Sequence, residues 1–172
     1  MKMMVATLLL FVMVSALAVA ADDPVTIVRR TYGWHLVPKG DGTLTYASYR
    51  KDAQELVRHE ADFSPKLFAL LRAVDQMADD YRAGRIPRLT WDADPLTCTE
   101  SATFTPLKLR LRSTQADHAL VDVASTVTIA RTFKTSWQVE LVQASGRWRI
   151  DNVRFGRGKA NLVDMLTPTF GR

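Results

Sequence analysis

The sequence predicts an α+β domain in which N-terminal helices pack on one face of a curved four-stranded antiparallel sheet and a short C-terminal helix follows. Two patterns lead to this prediction. Before residue 84, apolar residues recur every three or four positions, whereas after residue 106 they alternate with polar residues over long runs. Helices that precede a meander of strands are typical of the α+β class. Residues 22–172 fit a single domain, because the sequence contains no evident repeat or low-complexity linker.

Three helices are expected in the first half of the chain. The first extends from Pro24 to about Val37, and the second covers roughly Tyr46 to Glu60. The third is the clearest, because Ser64 suits an N-cap, Pro65 suits the first helical turn and leucines repeat over the next four turns. Gly84 is its expected C-terminal cap.

Four successive strands are expected in the second half, each with one apolar face. The first two are Leu107 to Arg112 and Val121 to Ile129, where apolar and polar residues alternate. The other two form a hairpin from Ser136 to Phe155, with Ala144-Ser145-Gly146 as the turn and a tryptophan on each strand. The spacing of apolar residues from Leu162 to Leu166 predicts the short final helix.

The amino terminus has the pattern of a secretory signal peptide. Met1-Lys2 supplies a positive charge, an apolar run follows, and small residues end in an Ala-x-Ala site before Ala21 or Asp22. We therefore expect residues 1–21 to be removed and the rest to be exported across the inner membrane, to the periplasm. An uncleaved anchor is the alternative, since Met3 to Ala21 is about long enough to span a bilayer.

Composition limits the chemistry. The net charge of +5 favours anionic surroundings. A single cysteine, Cys98, excludes an internal disulfide; we interpret it as a small buried thiol, with an intermolecular disulfide or a reactive thiol as the alternative. His35, His59 and His118 share no ligand spacing, and we interpret each as structural. Zinc patterns, Gly-rich phosphate loops and nucleophile elbows are absent from the sequence.

Two patches resemble a known family. Trp91-Asp92-Ala93-Asp94-Pro95-Leu96 is similar to the aspartate–proline motif of the bacterial envelope family known as domain-of-unknown-function family 3828. The segment Gly146 to Val153 resembles its tryptophan strand, and Ser64-Pro65-Lys66-Leu67 is also similar. Where the family motif continues with a glutamine–aspartate pair, this chain has Cys98-Thr99-Glu100. The resemblance implies an exported protein with a nuclear transport factor 2-like cone, a curved sheet with a hollow mouth, and it supplies no established chemistry.

The first candidate binding residues are Trp91, Asp92 and Asp94. Together with Glu100, the two aspartates could ligate a hard cation such as calcium, but calcium needs six to eight oxygen ligands. Alternatively, a carboxylate with a pKa raised by burial could serve as a general acid or base. We favour a structural loop in which the aspartates cap backbone amides and Trp91 packs on the sheet. No metal and no cofactor is expected.

A second candidate is a basic patch on the sheet face opposite the leucines. The predicted patch consists of Lys108, Arg110 and Arg112, joined by Arg147 and Arg149. It is either a solvated face paired across strands with Asp122 and Glu140, or a surface that binds an anionic envelope component. Nucleic acid is not expected as a partner, because the chain is expected to be exported.

The leading functional hypothesis is a non-enzymatic binding or protein-interaction module of the cell envelope. Its partner would be a small molecule in the mouth of the cone or an envelope protein, and a homodimer is an open expectation because dimers are common for this architecture. The alternative is a small isomerase- or hydrolase-like enzyme that uses Asp92 or Asp94 as the base. A structural protein without a ligand is the third hypothesis. No transmembrane segment is expected after signal cleavage.

Overall fold

A computed structural model describes residues 22–46, 53–88, 93–99, 102–156 and 160–170 of the chain. The predicted signal segment, residues 1–21, lies outside these ranges. Within them the chain has four α-helices and one eight-stranded antiparallel sheet, which confirms the α+β class.

The helices are α1 (Pro24–His35), α2 (Ala53–Arg58), α3 (Pro65–Arg82) and α4 (Leu162–Phe170). Ser64 caps α3 as predicted, since its hydroxyl accepts a hydrogen bond from the Leu67 backbone nitrogen at 3.3 Å. Gly84 follows the end of α3 with φ +68°, the left-handed conformation that glycine favours. The predicted final helix is confirmed as α4.

The strands are β1 (Leu36–Pro38), β2 (Leu44–Tyr46), β3 (Thr103–Phe104), β4 (Lys108–Gln115), β5 (His118–Thr128), β6 (Thr132–Ala144), β7 (Arg147–Phe155) and β8 (Ala160–Asn161). They are ordered β1-β2-β3-β5-β6-β7-β8, and β4 pairs with β5. Strands β3 and β4 both pair with β5, at Val127–Thr128 and at 118–124 respectively. They therefore line one edge of β5, with Pro106 in the break between them.

Two predictions of local structure are corrected. The expected four strands correspond to β4 to β7, but four short strands extend this sheet, and runs of two or three residues carry no visible alternation. The first predicted helix extends too far at its C-terminal end, and the second begins too early. Leu36 pairs with Tyr46 in the β1–β2 hairpin, so α1 ends at His35 and Tyr46 is not helical. The described part of the second helix begins at Ala53.

The core lies between the helices and one face of the sheet. Helix α1 contacts β4, β5 and β7, and both α3 and α4 contact β7. Phe63 and Leu67 from the helical half and Val121, Leu141 and Ile150 from the sheet are almost completely buried. The other sheet face, called the outer face below, carries the polar residues that alternate with these apolar ones.

An irregularity in β7 changes which residues reach the outer face. The β6–β7 register pairs Glu140 with Asn152 and then Leu141 with Ile150, so Asp151 is an extra residue in β7. Because side chains alternate along a strand, one extra residue reverses the alternation. Val153 is therefore buried, and Arg154 lies on the outer face.

Candidate functional site

A cleft of about 630 Å³ lies on the outer face of the sheet, across strands β4 to β7. It has both polar and apolar walls, and the described residues that line it include four cations and one carboxylate. The charged residues are Lys108, Arg110, Arg112, Arg154 and Asp122. The cleft is therefore a basic, solvent-accessible cavity on the outer face of the sheet.

Strand register brings these charges together. Arg110 of β4 pairs with Asp122 of β5, Asp122 pairs with Gln138 of β6, and Gln138 pairs with Arg154 of β7. The four side chains form one row across four strands. Arg112 lies in the register shift between Leu111 and Ser113 of β4 and also reaches Asp122.

Asp122 is the centre of this row. Its carboxylate accepts a hydrogen bond from Gln138 Nε2 at 2.9 Å and lies 3.3 Å from the nearest Arg110 nitrogen and 3.5 Å from that of Arg112. Burial acts to raise the pKa of Asp122, but the hydrogen bonds from Gln138 and Arg110 and the charge of Arg112 outweigh it and hold the pKa below its usual range. Asp122 is therefore a fixed anion that orients two arginines.

Positive charge in the cleft exceeds negative charge. Arg154 forms an ion pair with Glu140 outside the cleft lining, whereas Lys108 has no ion pair within the described residues. A smaller cavity of about 280 Å³ adjoins the cleft, shares Lys108 and Ala124 with it, and adds Lys134. The outer face therefore keeps uncompensated cations along β4 and β6.

The predicted basic patch is brought together only in part. Lys108, Arg110 and Arg112 line the cleft, and Arg110 and Arg112 pair with Asp122 as predicted. Glu140 pairs instead with Arg154, which lies outside the predicted patch. Arg147 and Arg149 belong to β7 but are not among the residues that line the cleft. Arg154 was missed, because its outward position depends on the extra residue in β7, which alternation alone does not reveal.

Asp94, the described aspartate of the aspartate–proline loop, lies in the core. Its side chain is 3% exposed, and Oδ1 accepts hydrogen bonds from the backbone nitrogens of Leu96 at 3.0 Å and Thr97 at 2.9 Å. The predicted capping of backbone amides is therefore confirmed for Asp94. His35 Nε2 lies 2.9 Å from Asp94 Oδ2, and the histidine side chain is 1% exposed.

This buried His35–Asp94 pair was missed from the sequence. The two residues are 59 positions apart, and no motif links them. The available hint is that His35 follows Val28 and Tyr32 on the buried face of α1. Aromatic rings enclose the pair: Tyr32, Trp34 and Tyr46 each make an edge-on contact with the His35 ring.

The remaining predicted site residues are described only in part. Trp91, Asp92 and Glu100 lie outside the described residues, so the predicted packing of Trp91 and the capping by Asp92 stay predictions. In the described ranges, no group of three or more His, Cys, Asp or Glu side chains is arranged to hold a metal ion. Burial, and then the charge of Asp94, raise the pKa of the half-buried Cys98 thiol, which disfavours a thiolate nucleophile.

Comparisons of this chain with protein-family models, with curated proteins and with solved structures find no match. Across the described segments, no helix is long and apolar enough to cross a membrane.

Proposed function

We propose that this protein is a non-enzymatic binding module of the bacterial cell envelope and that its outer-face cleft binds anionic groups of an envelope component. The observation that supports this proposal is the group of four cations that strand register brings to the cleft around Asp122. Guanidinium groups match carboxylate and phosphate groups in geometry and charge.

The cleft is better suited to binding than to acid–base catalysis. A general base that works near neutral pH needs a pKa in that region. Asp122, the one carboxylate among the described lining residues, has its pKa held below the usual aspartate value. Asp94, proposed above as an alternative base, is buried and already accepts several hydrogen bonds.

The compartment and the finer fold belong to the same proposal. The signal-like residues 1–21 and the resemblance to domain-of-unknown-function family 3828 support export to the periplasm. A helix layer on one face of a long antiparallel sheet, with a short N-terminal hairpin at the sheet edge, is compatible with a nuclear transport factor 2-like cone. An anionic lipid or glycan would then be within reach of the cleft.

Calorimetric titration with trigalacturonate, an anionic glycan, and with phosphatidylglycerol vesicles tests the cleft. We expect binding to at least one probe that weakens as ionic strength rises. Lys108→Gln and Arg110→Gln should each weaken it about three- to tenfold. Lys66→Gln, which removes one exposed cation from α3 on the helix side, is the matched control and should have little effect.

Asp122→Asn supplies a change in the opposite direction. It removes the anion that compensates Arg110 and Arg112 while it keeps the size of the side chain, so the affinity for the anionic probe should rise about threefold. If neither probe binds, or if Lys66→Gln weakens binding as much as Arg110→Gln does, the cleft is not the binding site.

A further inference from the structure

A second cavity, of about 400 Å³, lies on the helix side of the sheet. It is bounded by α1, by the β1–β2 hairpin and by the segment between β3 and β4. Seven of its described lining residues are apolar or aromatic: Tyr32, Leu36, Pro38, Leu44, Pro106, Leu107 and Leu109. Its size and lining are typical of small-molecule sites, which are concave, mostly apolar and supplied with few polar groups.

Of the two polar side chains among the described residues that line this cavity, only that of Arg29 is available to a ligand. The Tyr32 hydroxyl is already used, because it donates to the Leu96 carbonyl oxygen at 2.8 Å and accepts from Trp137 Nε1 at 2.6 Å. Burial raises the pKa of Tyr32, so this hydroxyl stays protonated. Arg29, by contrast, is exposed at the cavity and makes no hydrogen bond or close ion pair within the described residues, although its charge interacts with Asp23 at longer range.

Gly33 is an exposed residue of α1 that lines the cavity. It lies four residues after Arg29, on the same side of α1. A glycine inside a helix costs about 1 kcal/mol relative to alanine. Within the described structure a Cβ atom at this position would meet nothing within 4 Å, so close packing does not explain the glycine. A larger side chain there would enter the space beside α1.

We propose that this cavity binds a small amphipathic anion, with an apolar body against the leucine and proline side chains and a single carboxylate paired with Arg29. The charge of Arg29 selects an anion over a neutral molecule of the same shape. The absence of a second free polar group among the described lining residues favours a ligand with one charged end over a sugar or a polyanion. Its cation, Arg29, does not line the outer-face cleft, although Leu109 lines both cavities.

Decanoate is a suitable probe, with decanol as the neutral counterpart of equal chain length. Binding to the full mature chain can be followed by titration calorimetry and by tryptophan fluorescence, because Tyr32 in the cavity wall contacts Trp137. We expect decanoate to bind at one site per chain and Arg29→Gln to weaken it about tenfold, with little effect on decanol. Arg110→Gln in the outer-face cleft should leave decanoate binding unchanged.

A pair of substitutions at Gly33 tests the location. Gly33→Leu should abolish binding by filling the cavity, whereas Gly33→Ala should preserve most of the affinity and stabilise α1. If all variants bind decanoate as the parent chain does, or if decanol binds as tightly as decanoate, the proposal is wrong. Thermal unfolding of each variant in the absence of probe separates lost binding from lost folding.

Discussion

Asp94 joins α1 to the connecting segment through buried hydrogen bonds, so its removal should lower the stability of the fold. Asp94→Ala leaves His35 Nε2 and the backbone nitrogens of Leu96 and Thr97 without their acceptor in the core. Leaving one buried donor without its acceptor typically costs about 1–3 kcal/mol, and Asp94→Ala affects three donors, so a total of about 3–5 kcal/mol is expected. We expect a loss of this size in the free energy of unfolding, measured by urea titration.

Two control substitutions sharpen the Asp94 prediction. Asp94→Asn keeps an oxygen acceptor for the amides and should cost less than Asp94→Ala. Asp41→Ala removes a similar cap, on the Thr43 backbone nitrogen at 2.9 Å, from an exposed turn and should cost much less than Asp94→Ala, because water can replace the lost hydrogen bond. Equal effects of Asp41→Ala and Asp94→Ala would contradict the role given to burial.

The thiol of Cys98 should react slowly in the folded protein. Burial and the neighbouring Asp94 charge raise the pKa of this thiol, so little thiolate is present near neutral pH. We expect iodoacetamide to alkylate the folded chain much more slowly than the urea-unfolded chain, with a rate that still rises with pH above about 9, the usual value for the group. Equal rates in the two states would show that the thiol is accessible and unperturbed.

At the scale of single elements, the sequence predicted correctly those elements whose apolar repeat extends over many residues. It did not predict features that depend on pairing with residues far away in the chain. The cap at Ser64 and the apolar repeat of α3 are local, and both are confirmed. The hairpin of β1 and β2 depends on the pairing of Leu36 with Tyr46, which no local pattern marks. The same reason hid Arg154, since the extra residue in β7 is defined by its partner strand β6.

The N-cap of α1 should make stability depend on pH. Hydrogen bonds from the Thr26 side chain and backbone lower the pKa of Asp23, which also accepts from the Val25 nitrogen. Because the folded pKa is lower than the unfolded one, the stabilisation is present above about pH 4 and is lost as the pH falls through the folded pKa. Asp23→Ala should therefore cost about 1 kcal/mol at pH 7 and progressively less below pH 4.

Asp23→Asn separates the cap from the charge. Asparagine is an equally good N-cap but does not titrate, so this variant should keep most of the stability at pH 7 and lose the acid dependence that Asp23 contributes. Chemical unfolding followed between pH 3 and pH 7 provides the measurement. A constant difference between the parent chain and Asp23→Ala across this range would rule out the pH argument.

At the scale of the whole molecule, the two proposed sites use opposite faces of one sheet. The outer face presents cations because alternation sends polar residues away from the helices, and register brings these cations together around Asp122. The apolar cavity exists where the helix layer and the β1–β2 hairpin leave the inner residues of β4 incompletely covered; Leu109 lines it. The alternating basic residues of β4 could be predicted from the sequence. The cavity could not, because its walls come from α1, from the β1–β2 hairpin and from the segment between β3 and β4, which are far apart in the chain.

The helix layer and the sheet should unfold together, because a buried chain of hydrogen bonds joins them. Trp137 of β6 donates to the Tyr32 hydroxyl of α1, which donates to the Leu96 carbonyl of the connecting segment. Tyr32→Phe keeps the ring but leaves Trp137 Nε1 and the Leu96 oxygen without this partner, at a cost of about 1–3 kcal/mol. Since the bonds cross the core, the loss should lower the stability of the whole domain.

Urea unfolding can be followed by tryptophan fluorescence and by far-ultraviolet circular dichroism. The two signals should give coincident transitions for the parent chain and for Tyr32→Phe. The transition of the variant should lie at lower urea concentration, with the same dependence of the unfolding free energy on urea. Separate transitions would mean that α1 leaves the sheet before the sheet unfolds.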